Sequence, residues 1–301
     1  MKFCAIRSPF ARTAADADDI DESRHPQSCR VCGSRVHPGE KEVPYPRVCA
    51  HRGFNTIAPE NTLPAFGAAT ALGADEIEFD VRWSADDVPV LIHDPCLERI
   101  SDGVGNVRDC TLEELRKFDF GAHSGERFAG LRILTLEDFL RNFPGRPVLN
   151  IDIKTGPGFS AEALRGVAEL IRRYGWSEHA YFMAAPQVME AALEVAPWMP
   201  RCMRAGSTEE ERRTIVERAA RWQCGKVQFY KPVVTREMIA HAHSLGMRCN
   251  LFWSDDPEEA RRFFEMGIDT LLTNDYWTIA RVRDRFLHDG GGARKAAESR
   301  R

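Results

Sequence analysis

From residue 47 onward, short apolar runs of strand length alternate with longer amphipathic stretches of helix length. The pattern predicts strands at residues 47–51, 75–82, 148–154, 180–184, 200–205, 226–230, 247–253 and 270–274. It predicts helices at residues 61–73, 135–143, 160–174, 186–196, 208–222, 235–245, 256–266 and 276–287. This alternation is typical of an α/β fold, a (β/α)8 barrel of the TIM type. The alternative is a doubly wound open sheet, but no Gly-x-Gly-x-x-Gly run follows the first strand.

The connection between the second and third predicted strands, about residues 84–134, is unusually long. It contains the runs VPVLIHDP, GVGNV and TLEELRKFD. Connections of this length usually serve a function or carry a small fold of their own. We therefore expect an insertion after the second strand, made of a short hairpin and a small cap over one end of the barrel. Thr111-x-x-Glu114 and Thr135-x-x-Asp138 have a spacing that favours capped helix starts.

The two ends of the chain lack this periodicity. The sequence predicts a disordered or loosely attached leader at residues 1–44, the barrel at residues 45–288 and a flexible C-terminal tail at residues 289–301. Four residues of the leader have a spacing that could hold zinc: His25, Cys29, Cys32 and His37. The alternative is that the two cysteines are unrelated residues of a disordered segment, and the role of the leader stays open.

Composition and charge exclude several classes of protein. The chain has 301 residues and a formal charge of −4, with 43% hydrophobic and 29% charged residues, which is ordinary for a globular protein. Basic and acidic residues are interspersed, so nucleic acid is not an expected partner. No apolar run reaches about 18 residues, so no transmembrane segment is predicted. The N-terminus does not have the pattern of a secretory signal.

The nine cysteines also bear on the compartment. Their number is odd, and Cys49, Cys202 and Cys249 lie in apolar strand-like runs. Cysteines in such positions are typical of a reduced protein core rather than of a disulfide framework. We therefore predict a cytoplasmic protein, and the sequence leaves its oligomeric state unknown.

Two predicted strands carry charges, although parallel strands are normally apolar on both faces. In EIEFDVRW and VLNIDIK, apolar and polar residues alternate. Because successive side chains point to opposite faces of a strand, the apolar set should face the helices and the polar set the barrel interior. Glu78, Asp80 and Asp152 belong to the polar set and lie toward the carboxyl ends of the strands, where barrels hold their active sites. The alternative is an antiparallel sheet with one solvated face, which the alternation of strands and helices argues against.

These carboxylates predict a cation site, because unpaired charges inside a barrel are unstable. Oxygen ligands of this kind suit Mg2+ or Ca2+ better than zinc, and a simple ion-pair network is the alternative. His51 ends the first strand and His93 lies in LIHDP, so both should open at the same mouth and indicate an acid and a base. Arg52 and Lys154 add two cations there, and such a combination favours a phosphate ligand.

The runs around these residues resemble the glycerophosphodiester phosphodiesterase family. The resemblance covers roughly residues 47–285 and lies in AHRG, APENTLPAF, ADEIEFDVRWSADDVPVLIHD, LERISDGVGNV, TLEELRKFDFG, LTLEDFL, NIDIK and GIDTLLTND. It implies a (β/α)8 barrel with a small insertion after the second strand. It also implies a small-molecule glycerophosphodiester as substrate, hydrolysed to sn-glycerol 3-phosphate and an alcohol with the help of a divalent cation.

The resemblance implies a role for each matching residue. His51 and His93 match the acid–base pair of the family, although the sequence does not assign which is the acid. Arg52 resembles the phosphate-binding arginine, and Lys154 matches the lysine of the family's Glu-x-Lys motif. Glu60 falls in the Pro-Glu-Asn motif, where it is expected to support the residues that contact the ligand.

For the metal, Glu78 and Asp80 match two ligands of the family, and Asp152 replaces the glutamate of the Glu-x-Lys motif. Asp152 is one methylene shorter, which should leave a coordination position to water and favour Mg2+ over Ca2+. Phe252 and Trp253 end the seventh predicted strand, and Trp253 is expected to contact the substrate. Two alternatives stay open: a phosphate-binding barrel with weak catalysis, or a phosphodiesterase for another diester such as a lysophospholipid.

Overall fold

The computed structural model describes residues 44–143 and 147–290. Within these ranges the strands are β1 (Arg47–His51), β2 (Glu76–Trp83), β3 (Pro89–Leu91), β4 (Val148–Ile153), β5 (Ala180–Ala184), β6 (Arg201–Met203), β7 (Lys226–Tyr230), β8 (Arg248–Phe252) and β9 (Thr270–Thr273). The helices are α1 (Leu63–Ala71), α2 (Leu112–Leu115), α3 (Leu136–Asn142), α4 (Ala161–Arg173), α5 (Pro186–Val195), α6 (Glu209–Arg213), α7 (Ile215–Arg221), α8 (Arg236–Ser244), α9 (Pro257–Met266) and α10 (Tyr276–His288).

All of these strands except β3 are parallel and close into a barrel in the order β1, β2, β4, β5, β6, β7, β8, β9. Closure is direct, because β1 pairs with β2 on one side and with β9 on the other. The predicted (β/α)8 barrel is therefore confirmed. The carboxyl ends of all eight strands open at one mouth, which is where loops carry active sites in this fold.

In β2 and β4, apolar and polar residues alternate between the two faces of the barrel wall. Ile77, Phe79 and Val81 are buried in the large cluster between strands and helices, together with Ile151 and Ile153 of the neighbouring strand. The polar residues of the same strands point the other way, and the register places Asp80 directly opposite Asp152. Packing of the apolar set against the helices thus forces the carboxylates into the barrel interior.

The insertion after β2 folds against the mouth of the barrel. The short β3 runs antiparallel to β2, with Leu91 opposite Val81, so the predicted hairpin and insertion are confirmed. The rest of the insertion has a small hydrophobic core of its own, formed by Val90, Ile92, Leu97, Val107, Leu115, Phe120 and Ile133. Both predicted capping boxes are present, because Thr111 and Thr135 accept from the backbone of Glu114 and Asp138, whose side chains accept in return.

One predicted helix is wrong in detail. The stretch 208–222 is two helices, α6 and α7, which meet at Thr214. The Thr214 hydroxyl donates to the carbonyl of Glu210 at 2.9 Å, and its backbone leaves helical geometry. Threonine bonds of this kind compete with the helix ladder and bend helices. Apolar periodicity alone could not detect this break.

Three predictions about the ends of the chain fall outside the described residues. These are the leader at residues 1–44, of which only Pro44 is described, the possible zinc site of its histidines and cysteines, and the tail beyond residue 290. The division into leader, barrel and tail therefore stays a prediction. Across the described ranges, no helix has the length and apolar character needed to cross a bilayer.

Candidate active site

The turn after β1 brings two functional side chains to the mouth. His51 is the last residue of the strand, and Arg52 and Gly53 follow in left-handed backbone conformations, with φ of 56° and 83°. A Cβ on Gly53 would lie 2.7 Å from the carbonyl carbon of Ala65 in α1, so glycine is required for this close approach. Thr62 caps α1 just beyond the turn. The AHRG run is thus a strand end that turns sharply against the first helix.

Three carboxylates converge on the inner wall of the mouth. Glu78 and Asp80 come from β2 and Asp152 from β4, and each offers an oxygen within 4.8 Å of the other two. All three are buried. The structure therefore brings together the residues that the sequence predicts as metal ligands.

Three cations offset the charge of this cluster. The Lys154 ammonium lies 2.7 Å from Asp80 Oδ1 and 2.6 Å from Asp152 Oδ2. Arg52 Nε lies 3.3 Å from Asp80 Oδ2, and its backbone N–H donates to Glu78 Oε2 at 3.0 Å. Arg204, just after β6, places Nη1 3.3 Å from Asp152 Oδ1. The cluster thus combines converging anions with cations that can also face a phosphate.

The two acids of β2 have opposite protonation tendencies. Burial raises the pKa of Asp80, but the charges of Lys154 and Arg52 outweigh burial, so its pKa lies well below the usual range. Burial and the neighbouring charge of Asp80 hold the pKa of Glu78 well above its usual value. A carboxyl group in this state binds a proton in competition with a cation, so metal binding at Glu78 would release a proton.

This donor set fits a hard divalent cation. All three side chains offer carboxylate oxygens, they approach from two adjacent strands, and they are shielded from bulk water. Mg2+ and Ca2+ both prefer such ligands.

The imidazole of His51 is oriented by contacts at Nδ1 and at its ring edge. Its Nδ1 is hydrogen-bonded to Asn274 Oδ1 at 2.8 Å, and Phe252 packs edge-on against the ring with centroids 5.4 Å apart. Its Nε2 lies 3.9 Å from Glu78 Oε2. Burial and the adjacent Arg52 lower the pKa of His51 to about 4. The imidazole is therefore neutral at neutral pH and can accept a proton at Nε2.

His93 follows β3 in the insertion and faces the same cavity. Its Nδ1 is hydrogen-bonded to Asp94 Oδ1 at 2.6 Å. Arg99 binds the other oxygen of Asp94 and also reaches both oxygens of Glu60, at 2.7 and 2.9 Å. Glu60 in turn accepts from Arg52 Nη1 at 2.9 Å. Glu60 thus supports Arg52 and does not join the carboxylate cluster.

Two adjoining cavities open at the mouth. The inner cavity, of about 240 Å3, is lined by both histidines, the carboxylate cluster and residues of β5 to β8. The outer cavity, of about 600 Å3, lies toward the insertion and includes Phe120 and Trp253. His51, Arg52 and Phe252 line both. Of the two aromatic residues at the end of β8 that the sequence singles out, Trp253 is 37% exposed and borders only the outer cavity, whereas Phe252 borders both cavities.

Sequence reasoning missed several polar residues of the site, among them Asp94, Arg99, Arg204, Gln228 and Asn274. Asp94, Arg99 and Asn274 stand inside the runs LIHD, LERISDGVGNV and GIDTLLTND, so position within those runs was an available signal. Arg204 follows the short strand β6, and Gln228 lies within β7. The sequence around them has no pattern that marks a functional residue. Only closure of the barrel reveals that they face the cavity.

Known proteins resemble this chain in sequence and in fold. The model of the glycerophosphoryl diester phosphodiesterase family matches residues 51–278. A glycerophosphodiester phosphodiesterase of Caldanaerobacter subterraneus subsp. tengcongensis is 30% identical over 77% of this chain and 95% of its own length. A crystal structure of a glycerophosphodiester phosphodiesterase from Agrobacterium tumefaciens superimposes with a TM-score of 0.67 at 26% identity, over 77% of this chain and 98% of that one. A phosphodiesterase of Oleispira antarctica, whose structure contains the product sn-glycerol 3-phosphate, gives a TM-score of 0.71 at 23% identity, over 82% and 99% of the two chains.

Proposed function

Since the chain belongs to the glycerophosphoryl diester phosphodiesterase family, we propose that it hydrolyses glycerophosphodiesters to sn-glycerol 3-phosphate and an alcohol. The observation that carries the proposal is one cavity that holds three converging carboxylates, three cationic side chains paired with them and two histidines. A phosphodiester needs this combination, because charge develops on phosphate oxygens while one proton is taken up and another is delivered.

The proposed cofactor is a divalent cation, Mg2+ or Ca2+, held by Glu78, Asp80 and Asp152. When bound, such a cation supplies positive charge that polarises the phosphate group. Arg52 and Lys154 lie beside the same oxygens and would bind the remaining phosphate oxygens. Both cations are already fixed by carboxylates, so little reorganisation is needed when the phosphate enters.

The hydrogen bonds of the two imidazoles support a division of work between them. His51 is neutral and directs Nε2 into the cavity, which suits removal of the proton from the attacking hydroxyl. His93, as an imidazolium whose Nδ1–H is held by Asp94, is then the group that delivers its Nε2 proton to the oxygen of the leaving alcohol. By resemblance, the attacking group is the glycerol 2-hydroxyl. Its oxygen forms a bond to phosphorus as the bond to the alcohol breaks, and water then opens the cyclic phosphate.

A substrate panel with the purified full chain tests the proposal. Glycerophosphocholine, bis(p-nitrophenyl) phosphate and a lysophospholipid are assayed with Mg2+, Ca2+ or Mn2+, and after chelation. We expect metal-dependent release of sn-glycerol 3-phosphate from glycerophosphocholine, with the lysophospholipid a poorer substrate. Binding of inorganic phosphate without turnover of any diester would favour the phosphate-binding barrel. Preference for the lysophospholipid would favour the other alternative, a phosphodiesterase that acts on a different diester.

We also propose a cytoplasmic location, on the ground of the cysteines. The cysteines in the described residues are all free, and Cys49, Cys202, Cys224 and Cys249 are buried. Free thiols in these positions are typical of a reducing compartment. Fractionation of cells that express the tagged chain tests this location.

A further inference from the structure

Three unlike side chains converge at the end of the barrel opposite the mouth. His243 lies in the last turn of α8, Cys249 is the second residue of β8, and Asp269 immediately precedes β9. Each offers one ligand atom, a ring nitrogen, a sulfur or a carboxylate oxygen, and these atoms lie within 4.8 Å of one another. None of the three is among the residues that line the two cavities at the mouth. The cluster is therefore separate from the proposed active site.

Backbone hydrogen bonds hold Cys249 and Asp269 together. The backbone N–H of Asp269 donates to the carbonyl of Cys249 at 2.8 Å, and the N–H of Cys249 donates to Asp269 Oδ2, also at 2.8 Å. Both residues are buried. The thiol lies between the barrel wall and α8, because its Sγ is 3.8 Å from the carbonyl oxygen of Ile239 in that helix. Two of the three ligand groups are thus fixed by the fold itself.

His243 completes the cluster from the solvent side. Its Nε2 lies 2.7 Å from Asp269 Oδ2, and its side chain is 34% exposed. Arg248 approaches the other carboxylate oxygen, with Nη1 3.5 Å from Asp269 Oδ1, so it leaves Oδ2 to the cluster. An ion can therefore enter from the solvent side, where only the partly exposed imidazole has to move.

The donor set determines which kind of ion the cluster suits. A thiolate, an imidazole nitrogen and a carboxylate oxygen together favour Zn2+, whereas Mg2+ and Ca2+ favour oxygen ligands alone. Zinc bonds of about 2.0–2.3 Å place the ligand atoms of a tetrahedral site roughly 3–4 Å apart, which small side-chain rotations of this cluster can reach. The thiolate and the carboxylate also balance the two charges of the ion, so the buried complex carries no net charge.

We propose that His243, Cys249 and Asp269 form a zinc site that fastens α8 to the amino ends of β8 and β9. Three protein ligands leave the fourth tetrahedral position to water, on the exposed side of His243. The Cys249 thiol loses its proton to solvent when the ion binds, and the imidazole keeps one hydrogen, on Nδ1. Because the site is remote from the mouth, the proposal does not rest on the proposed function.

Titration of the full chain with Co2+ in the presence of excess Mg2+ tests the site. Co2+ substitutes for Zn2+ at tetrahedral sites, and a thiolate ligand gives it a charge-transfer band in the near ultraviolet that oxygen ligands do not give. The wild type should show this band, and Zn2+ should remove it. Cys249→Ser should lack the band, whereas Cys202→Ser, the same change at another buried strand cysteine, should keep it.

The leader contains the other cysteines whose spacing suits zinc, Cys29 and Cys32. The double variant Cys29→Ser/Cys32→Ser should retain the band that Cys249→Ser loses. A band that is lost from this double variant and kept at full intensity in Cys249→Ser places the ion in the leader and overturns the proposal. Absence of the band from the wild type overturns it as well.

His243→Ala tests the site without a change in the buried core. Its affinity for Zn2+, measured by displacement of the Co2+ band, should fall by more than about 100-fold, because changes to the neighbours of metal ligands already cost 10- to 100-fold. His241→Ala, a change of an exposed histidine two residues earlier on α8, should bind as the wild type does. Melting curves without metal check that each variant is folded. Wild-type affinity in folded His243→Ala overturns the site, whereas failure to hydrolyse any diester contradicts only the proposed function.

Discussion

The Nδ1 atom of His51 is hydrogen-bonded to the Oδ1 atom of Asn274, 2.8 Å away, although 223 residues separate the two in the chain. The Asn274 amide is itself oriented, because its Nδ2 donates to Asp255 Oδ2 at 2.9 Å. Oδ1 must then accept, so His51 carries its hydrogen on Nδ1 and offers the Nε2 lone pair to the cavity. The tautomer of the proposed base is set by a residue from the opposite end of the sequence.

Asn274→Ala should lower kcat by about 10- to 100-fold and change KM little, because the imidazole loses the acceptor that fixes its tautomer and orientation. Loss of this bond should also lower the pKa of His51 further, since the bond to Asn274 raises it. The acid limb of the kcat/KM profile should therefore move to lower pH. Asn142→Ala, an exposed asparagine at the end of α3, is the matched control. An unchanged kcat for Asn274→Ala would show that the bond has no part in orienting the base.

Removal of either proposed proton-transfer group should have a large effect. His51→Ala and His93→Ala should each lower kcat by about 10²- to 10⁴-fold, the range for general acid–base groups. The double variant should be scarcely slower than the less active single variant, because the rate losses from groups that act in one transition state do not add. Steady-state kinetics on all three variants, with melting curves to check folding, measure this. Near-normal turnover of His93→Ala would remove that residue from the mechanism.

The barrel and the convergence of Glu78, Asp80 and Asp152 were predictable because they depend on local patterns. Strand length, period-2 alternation and the common direction of parallel strands are all read from neighbouring residues. The contacts of His51 with Asn274 and of Arg99 with Glu60 depend on how distant loops meet, which no local pattern encodes. The place of Trp253 beside the outer cavity depends in the same way on how the chain turns beyond β8, and its predicted contact with the substrate stays a prediction.

Arg99 connects the residues that hold His93 with those that hold Arg52, and its removal should loosen the positions of both side chains. It pairs with Asp94, which orients His93, and with Glu60, which holds Arg52. Arg99→Ala should lower kcat by roughly 10-fold, a modest effect because the side chain is 45% exposed and surface ion pairs are weak. Arg99→Lys should recover only part of this loss, since an ammonium cannot bind both oxygens of Glu60 in a fork. Arg132→Ala, also in the insertion, is the control. Full activity of Arg99→Ala would show that His93 and Arg52 hold their positions without it.

Metal affinity should rise with pH because of Glu78. Its pKa is held above the usual value in the metal-free chain, so a cation must displace a proton to bind. As pH increases, a smaller fraction of Glu78 is protonated and the competition weakens, so the apparent affinity for Mg2+ increases. Calorimetric titrations in buffers of different ionisation enthalpy should also show proton release on binding. Affinity that is independent of pH, with no proton release, would place the cation away from Glu78.

Asp152 decides whether the cation site has three carboxylates. Asp152→Asn should weaken Mg2+ binding, because the amide lacks the charge that attracts the ion, and it also removes the ion pairs of residue 152 with Lys154 and Arg204. Asp152→Glu should remain active, and its longer side chain should reach the ion directly and shift the preference from Mg2+ toward Ca2+. Calorimetric titration of both ions into both variants measures this, with Asp284→Asn on the exposed face of α10 as the control for a lost charge. If Asp152→Asn binds Mg2+ as tightly as the parent chain, Asp152 is not a ligand, and its role is to position Lys154 and Arg204 for the phosphate.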